Sequence, residues 1–136
     1  MTKKNIIILE KTELSLSKVH DSAYQVTDII EWRMKFFGIE DLIRIPKGFI
    51  TDGASSPRFS YSFFPPFTGR HVEASVLHDF LYSSKSGFRF SRFFSDAIFK
   101  EALIYSGVGR VKAGFMFAAV RCFGQYAWEL KKIYGS

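Results

Sequence analysis

A strict alternation of apolar and charged residues is the clearest pattern in the first half of the chain. Between Ile30 and Phe36, apolar side chains occupy every second position and charged ones lie between them. A period of two is typical of a β-strand with one buried and one solvent-facing side. Shorter apolar runs at 6–9, 42–45 and 49–51 predict further strands, whereas the polar stretch 11–28 has only weak apolar anchors. The pattern predicts an N-terminal antiparallel sheet of about four to five short strands.

The second half follows helical spacing instead. Apolar residues three and four positions apart predict a first helix over 73–82, with one buried side, and a second over 92–106. Ser91 suits the N-cap of the second helix and Gly107 its end. A third helix is expected over 111–134. Its first half is apolar nearly all round, so we expect it to be the central packed helix, in a hairpin with the second.

Strands before helices define an α+β fold. We expect residues 1–136 to form a single domain, with a sheet part at about 5–55 and a helical part at about 70–134 whose three α-helices pack on the sheet. The stretch 58–70 carries aromatic side chains around Pro65 and Pro66, which forbid a regular element there. This predicts a loop that either packs on the core or presents a contact surface.

Composition changes this picture mainly through charge. The formal net charge of +6 favours anionic partners such as nucleic acid, phospholipid surfaces or wall polymers. The 16 Phe must either be buried or mark a contact surface. Its single cysteine, Cys122, excludes an internal disulfide and a cysteine-based zinc cluster. No segment approaches the ~20 apolar residues that cross a bilayer, so we expect a soluble protein made in the cytoplasm.

Candidate chemistry is concentrated on the first predicted helix. His78, Asp79 and Tyr82 lie close on one helix surface because they are three and four residues apart. His78 can act as a general base, or His78 and Asp79 can bind a divalent metal. The upstream loop 51–57 supplies Asp52 as a metal ligand or acid/base partner of His78. The structural alternative is that His78 and Asp79 bond to loop backbone and hold the fold together.

Two charged residues, Asp96 and Arg121, stand on otherwise apolar helices. A lone buried charge is very costly, so each needs a partner if buried. They can pair with each other, or with Asp52 or Asp79, and we favour a structural pair over a catalytic one. The chain has no Gly-x-Ser-x-Gly elbow and no phosphate-binding P-loop, which argues against the enzyme classes that use them.

Four blocks of the sequence resemble a family of small bacteriophage and prophage proteins that is named only as a domain of unknown function. The blocks are residues 45–58, 74–82, 92–99 and 119–124, and they include Thr-Asp-Gly-Ala-Ser-Ser-Pro and Leu-His-Asp-Phe-Leu-Tyr. The resemblance implies a viral origin and no secure activity. The motif positions fall on Thr51, Asp52, Ser55, Pro57, His78, Asp79, Tyr82, Arg92, Asp96 and Arg121.

Two functions are favoured by these observations. One is a small phage hydrolase acting on a cell-wall or phosphate-containing substrate, with His78, Asp79 and Asp52 as catalytic residues. Its binding residues would be Thr51, Ser55, Tyr82, Arg92, Asp96 and Arg121. The other is a non-enzymatic virion or accessory protein that binds a phage or host protein, with the polar motif as a structural clamp. Either would act in the host cytoplasm or the virion. Nucleic-acid binding rests on charge alone and ranks last.

Overall fold

A computed structural model describes residues 5–20, 23–51 and 70–133. The chain forms two compact units, Met1–Ile50 and Thr51–Ser136. Strands make up the first unit and helices the second, which confirms the predicted α+β class with N-terminal sheet structure and C-terminal helices. The described residues contain six strands: β1 (Ile6–Lys11), β2 (Leu16–His20), β3 (Ala23–Val26), β4 (Ile30–Phe36), β5 (Ile39–Ile45) and β6 (Ile50–Thr51).

The strands form two three-stranded antiparallel sheets rather than one. The first sheet has the order β1-β4-β5, and its central strand β4 carries the alternation seen in the sequence. Ile30, Trp32 and Met34 are buried, while the charged residues between them reach solvent. β5 begins earlier than expected because the turn occupies Phe37 and Gly38, both with positive φ. That two-residue turn lets Ile39 pair directly with the end of β4.

The second sheet, β2-β3-β6, contains a hairpin that the sequence pattern did not predict. The buried side chains of β3 are Ala23 and Val26, which are three residues apart, so no period of two is visible. Backbone hydrogen bonds hold this strand instead: Val26 N–H donates to Phe49 O and Val26 O accepts from Gly48 N–H, each at 2.8 Å. Pairing here depends on the backbone, which leaves little trace in residue type.

The second unit contains four α-helices among its described residues: α1 (Val72–Tyr82), α2 (Arg92–Tyr105), α3 (Arg110–Phe123) and α4 (Gln125–Ile133). A 3-10 turn, Ser84–Ser86, follows α1. The predicted N-cap of α2 is confirmed, because Ser91 Oγ accepts a hydrogen bond from Phe94 N–H at 3.1 Å. The start of α2 contacts the end of α3, as the predicted antiparallel hairpin requires.

The central helix of this unit is α1, and the prediction that gave this place to the third helix was wrong. Every residue of α1 except Glu73 is buried. α3 buries only Ala113, Met116 and Val120, and it exposes apolar side chains on its other side. A segment that is apolar all round does not reveal which side packs, and this one packs along a single stripe.

The predicted third helix is also divided in two at Gly124. A Cβ on Gly124 would clash with Val120 O and would lie 2.8 Å from the Tyr82 hydroxyl. The N–H of Gly124 donates to Val120 O at 2.8 Å and closes α3. Glycine therefore ends the helix where another element approaches too closely for a side chain.

Candidate functional site

The centre of the candidate site is a buried contact between α1 and α2. Nε2 of His78 lies 2.7 Å from Oδ1 of Asp96, and both side chains are almost completely buried. A carboxylate accepts hydrogen bonds and donates none, so Nε2 of His78 carries the shared hydrogen. The sequence favoured Asp52 as a metal ligand or acid/base partner of His78, and Asp79 as a second metal ligand beside it. In the part of the chain that the structure describes, the carboxylate against His78 is Asp96.

The Asp96 carboxylate also contacts a hydroxyl and two guanidinium groups from three helices. Its Oδ1 also accepts from the Tyr82 hydroxyl at 2.6 Å, and its Oδ2 accepts from Nη1 of Arg121 at 2.8 Å. Nη1 of Arg92 lies 3.6 Å from the same Oδ2. We call these five residues, His78, Tyr82, Arg92, Asp96 and Arg121, the Asp96 cluster. Opposite charge and hydrogen bonds offset the large cost of burying the carboxylate.

The cluster shifts the ionisation of its acidic members in opposite directions. Burial raises the pKa of Asp96, but hydrogen bonds from His78, Tyr82 and Arg121 and the charge of His78 outweigh it, so the pKa lies below the ordinary value of 3.8. Burial, followed by the hydrogen bond to Asp96, raises the pKa of Tyr82 well above its ordinary range. At neutral pH Asp96 is therefore a carboxylate and Tyr82 a neutral donor.

Arg92 links this carboxylate to the end of α3. Its Nη1 donates to Val120 O at 3.0 Å and its Nη2 to Arg121 O at 3.1 Å. The last carbonyls of a helix have no partner within the helix and carry partial negative charge, so a guanidinium stabilises them. Nη1 also lies 3.3 Å from the Tyr82 hydroxyl. Through Arg92 the cluster thus joins α1, α2 and α3.

Aromatic rings enclose the histidine. The ring of His78 lies 4.2 Å from that of Tyr82 and 4.5 Å from that of Phe99, measured between centroids. Trp128 of α4 meets Tyr82 edge to face at 5.1 Å. These contacts restrict the imidazole to one orientation and bring α4 against the cluster.

The neighbouring residue Asp79 points to a different partner. It forms an ion pair with Lys131 of α4, a residue that the sequence analysis did not single out. The next residue, Lys132, donates to Ser83 O at 2.8 Å, to Ser86 Oγ at 2.5 Å and to Gly87 O. Burial lowers the pKa of Lys132 to about 8. The basic end of α4, visible in the sequence only as an amphipathic pattern, thus fastens that helix to α1 and to the turn after it.

The structure brings five of the nine predicted site residues into one cluster. Asp79 forms its own ion pair, and Thr51 is buried at the end of β6. Asp52 and Ser55 lie outside the described residues. Among described residues, no group of three or more His, Cys, Asp or Glu side chains is placed to hold a metal ion. None of the helices in those ranges is long and apolar enough to cross a membrane.

One buried hydroxyl on α1 was not anticipated. Ser75 is buried one turn before His78, and its Oγ has no hydrogen-bond partner within the described ranges. Buried hydroxyls are nearly always bonded, so the position is unusual. The sequence gives no signal for it, because a serine in a helix is common.

A family model described as "Protein of unknown function (DUF1353)" matches residues 30–120, more than half of the chain. The chain belongs to the DUF1353 family. The matched region includes β4, β5 and four of the five cluster residues, with Arg121 immediately after it. No curated protein and no solved structure matches the chain. Membership of DUF1353 thus gives a family without an activity.

Proposed function

We propose that this DUF1353 protein is a non-enzymatic accessory protein that binds a partner and uses the Asp96 cluster as a structural clamp. The observation that carries the proposal is the complete burial of Asp96, whose two oxygens accept from side chains of α1 and α3. A group that must meet a substrate needs at least one free side. Here both carboxylate oxygens are occupied by the protein itself.

The exposure of His78 supports the same reading. Only 1% of its surface reaches solvent, its Nε2 is engaged with Asp96, and its ring contacts two aromatic rings. A general base must come within hydrogen-bond reach of the proton that it removes. A clamp, in contrast, gains from the exclusion of water, because charge-assisted hydrogen bonds strengthen in a low dielectric.

The phage or prophage origin is part of the proposal and rests on the sequence blocks described above. The net charge of +6 supports an anionic partner, either a phage or host protein or another polyanion. Action in the host cytoplasm or in the virion belongs to the same proposal.

A hydrolase is the second candidate, and two observations favour it. The 2.7 Å contact from His78 to a buried carboxylate is the arrangement that orients a catalytic histidine. Ser75, three residues earlier on α1, has a hydroxyl without a partner among described residues. Ser75 and His78 stand three residues apart on one side of α1, and covalent catalysis needs a nucleophile and an oriented base.

The two candidates separate in a comparison of His78→Ala with the wild-type protein. The measurements are urea unfolding followed by circular dichroism, and hydrolysis of p-nitrophenyl acetate and of bis-p-nitrophenyl phosphate. The clamp predicts no turnover by the wild-type protein and a loss of about 1–3 kcal/mol in the variant, because hydrogen-bonding groups of the cluster lose a buried partner.

His71→Ala is the matched control, since His71 is buried at the N-cap of α1 but lies outside the cluster. Wild-type turnover that disappears in His78→Ala, with unfolding unchanged and His71→Ala still active, would replace the clamp with the hydrolase.

A further inference from the structure

One side of α3 carries an apolar stripe that the other helices leave uncovered. Val111, Phe115, Ala118 and Cys122 are exposed, and their spacing of four, three and four places them along one line of the helix. Val111 is 76% exposed and Phe115 is 68% exposed. We call these four residues the α3 stripe. Exposing the phenylalanine and valine side chains to water is unfavourable, so a partner that covered them would be stabilised by their burial.

Charge indicates what kind of surface would cover the stripe. α3 contains Arg110, Lys112 and Arg121 but no Asp or Glu, and the first two are exposed on either side of Val111. Residues 70–133 contain ten Lys and Arg against five Asp and Glu, and Asp79 and Asp96 among those acids are buried. The stripe therefore has a basic border, which repels a second copy of the same helix and attracts an anionic surface.

We propose that the α3 stripe docks on an anionic phospholipid surface, with the helix lying in the plane of the headgroups. Helices that lie in a membrane interface combine an apolar stripe containing Phe or Leu with Lys and Arg at its borders. α3 has 14 residues, about 21 Å at 1.5 Å per residue, and so is too short to cross a bilayer. A fluid lipid surface also accommodates single protruding side chains without a preformed pocket.

This inference rests on the proposed function, because it names the partner of the accessory protein. The clamp proposal and the lipid-binding proposal can be contradicted independently of each other. The clamp is tested by unfolding and hydrolysis, and neither measurement involves lipid. Absence of lipid binding with a stable, inactive wild-type protein would remove the lipid partner and leave the clamp in place.

The experiment is flotation of the full chain with vesicles of phosphatidylglycerol and phosphatidylcholine in equal parts, compared with pure phosphatidylcholine. We expect binding to the anionic vesicles, weakened by raising the salt concentration from about 0.1 M to about 0.5 M because the Debye length then falls. Phe115→Ser should weaken binding about tenfold through the lost apolar contact. Lys112→Glu should weaken it at least about fivefold.

Two matched controls separate the stripe from general effects. Phe37→Ser changes the same residue type at nearly the same exposure, 67% against 68% for Phe115, but in the first unit. Lys18→Glu changes the net charge by the same amount as Lys112→Glu at an exposed site of β2. Both controls should bind like the wild-type protein, and circular dichroism should show all four variants folded.

Three results would overturn the proposal: no wild-type binding to anionic vesicles, equal binding to neutral vesicles, or equal weakening by the controls. A dimer that Phe115→Ser dissociates, or capture of an acidic protein through the stripe without vesicle binding, would also overturn it. Either finding would assign the stripe to a protein surface instead.

Discussion

Arginine meets carboxylate in both units of the chain, but the surroundings of the pairs differ. In the first unit, Nη2 of Arg44 lies 2.8 Å from Oε2 of Glu31 across β4 and β5, with side chains 61% and 33% exposed. In the second, Nη1 of Arg121 lies 2.8 Å from Oδ2 of Asp96, whose side chain is fully buried. The two N–O distances are the same, so distance alone does not rank the pairs.

Solvent decides what each pair contributes. Water screens the exposed pair and competes for its hydrogen bonds, so pairs of this kind contribute about 0–1 kcal/mol. The buried carboxylate cannot return to water, so the loss of its charge leaves several donors without an acceptor. The second unit therefore concentrates its buried charge on one carboxylate, whereas the first unit distributes its charges over exposed ion pairs.

The largest effect is expected for Asp96→Asn. The amide keeps the shape of the carboxylate but removes its charge from beside Arg121 and His78. We expect the free energy of unfolding to fall by about 3–5 kcal/mol, the usual cost of breaking a buried ion pair. Urea unfolding followed by circular dichroism measures it. A loss below about 1 kcal/mol would place Asp96 in the same class as the exposed pairs.

A smaller effect is expected when acid protonates the Asp96 carboxylate. Because the pKa of Asp96 lies below 3.8, the unfolded chain binds a proton before the folded chain does as the pH falls. The stability from this carboxylate is complete above its unfolded pKa and is lost as the pH falls through the folded pKa. Titration of the Asp96 carboxyl carbon by NMR should give a midpoint below pH 3.8. A midpoint above that pH would mean that the hydrogen bonds to Asp96 do not outweigh its burial.

The smallest effect is expected for Glu31→Gln. This change removes the charge opposite Arg44 on the exposed side of the first sheet. The free energy of unfolding should change by at most about 1 kcal/mol, and by less still at about 0.5 M salt, because exposed charges are screened. The same urea measurement at two salt concentrations checks this. A salt-insensitive loss of several kcal/mol would mean that this contact is not solvated as its exposure indicates.

Residue patterns predicted those parts of the fold in which burial follows one simple period. β4 alternates because one of its sides is buried, and Ser91 caps α2 because a helix N-terminus has free N–H groups. The β2–β3 hairpin escaped prediction because its pairing is carried by backbone hydrogen bonds. The division at Gly124 escaped because it depends on the approach of Tyr82, which is distant in sequence.

The five members of the Asp96 cluster were predictable, and pairing of Asp96 with Arg121 was among the alternatives, but the contact of His78 with Asp96 was not predicted. Charged and polar residues on apolar helices, such as Asp96 and Arg121, must find partners, and this requirement selected them from sequence alone. Which carboxylate would meet His78 depends on how α1 and α2 are aligned, and no local pattern encodes that. Lys131 and Lys132 were not predicted because a lysine at the end of a helix is ordinarily solvated.

The buried position of Lys132 has a consequence for the charge of the folded chain at alkaline pH. The sequence gives an isoelectric point of about 9.5 when every lysine is treated as ordinary. With a pKa of about 8, Lys132 has lost most of its charge well before that pH in the folded chain, but keeps it when the chain unfolds. The raised pKa of Tyr82 offsets little of this, since an ordinary tyrosine is still mostly neutral at pH 9.5. Burial of this one amine therefore removes most of one positive charge from the folded chain near pH 9.5.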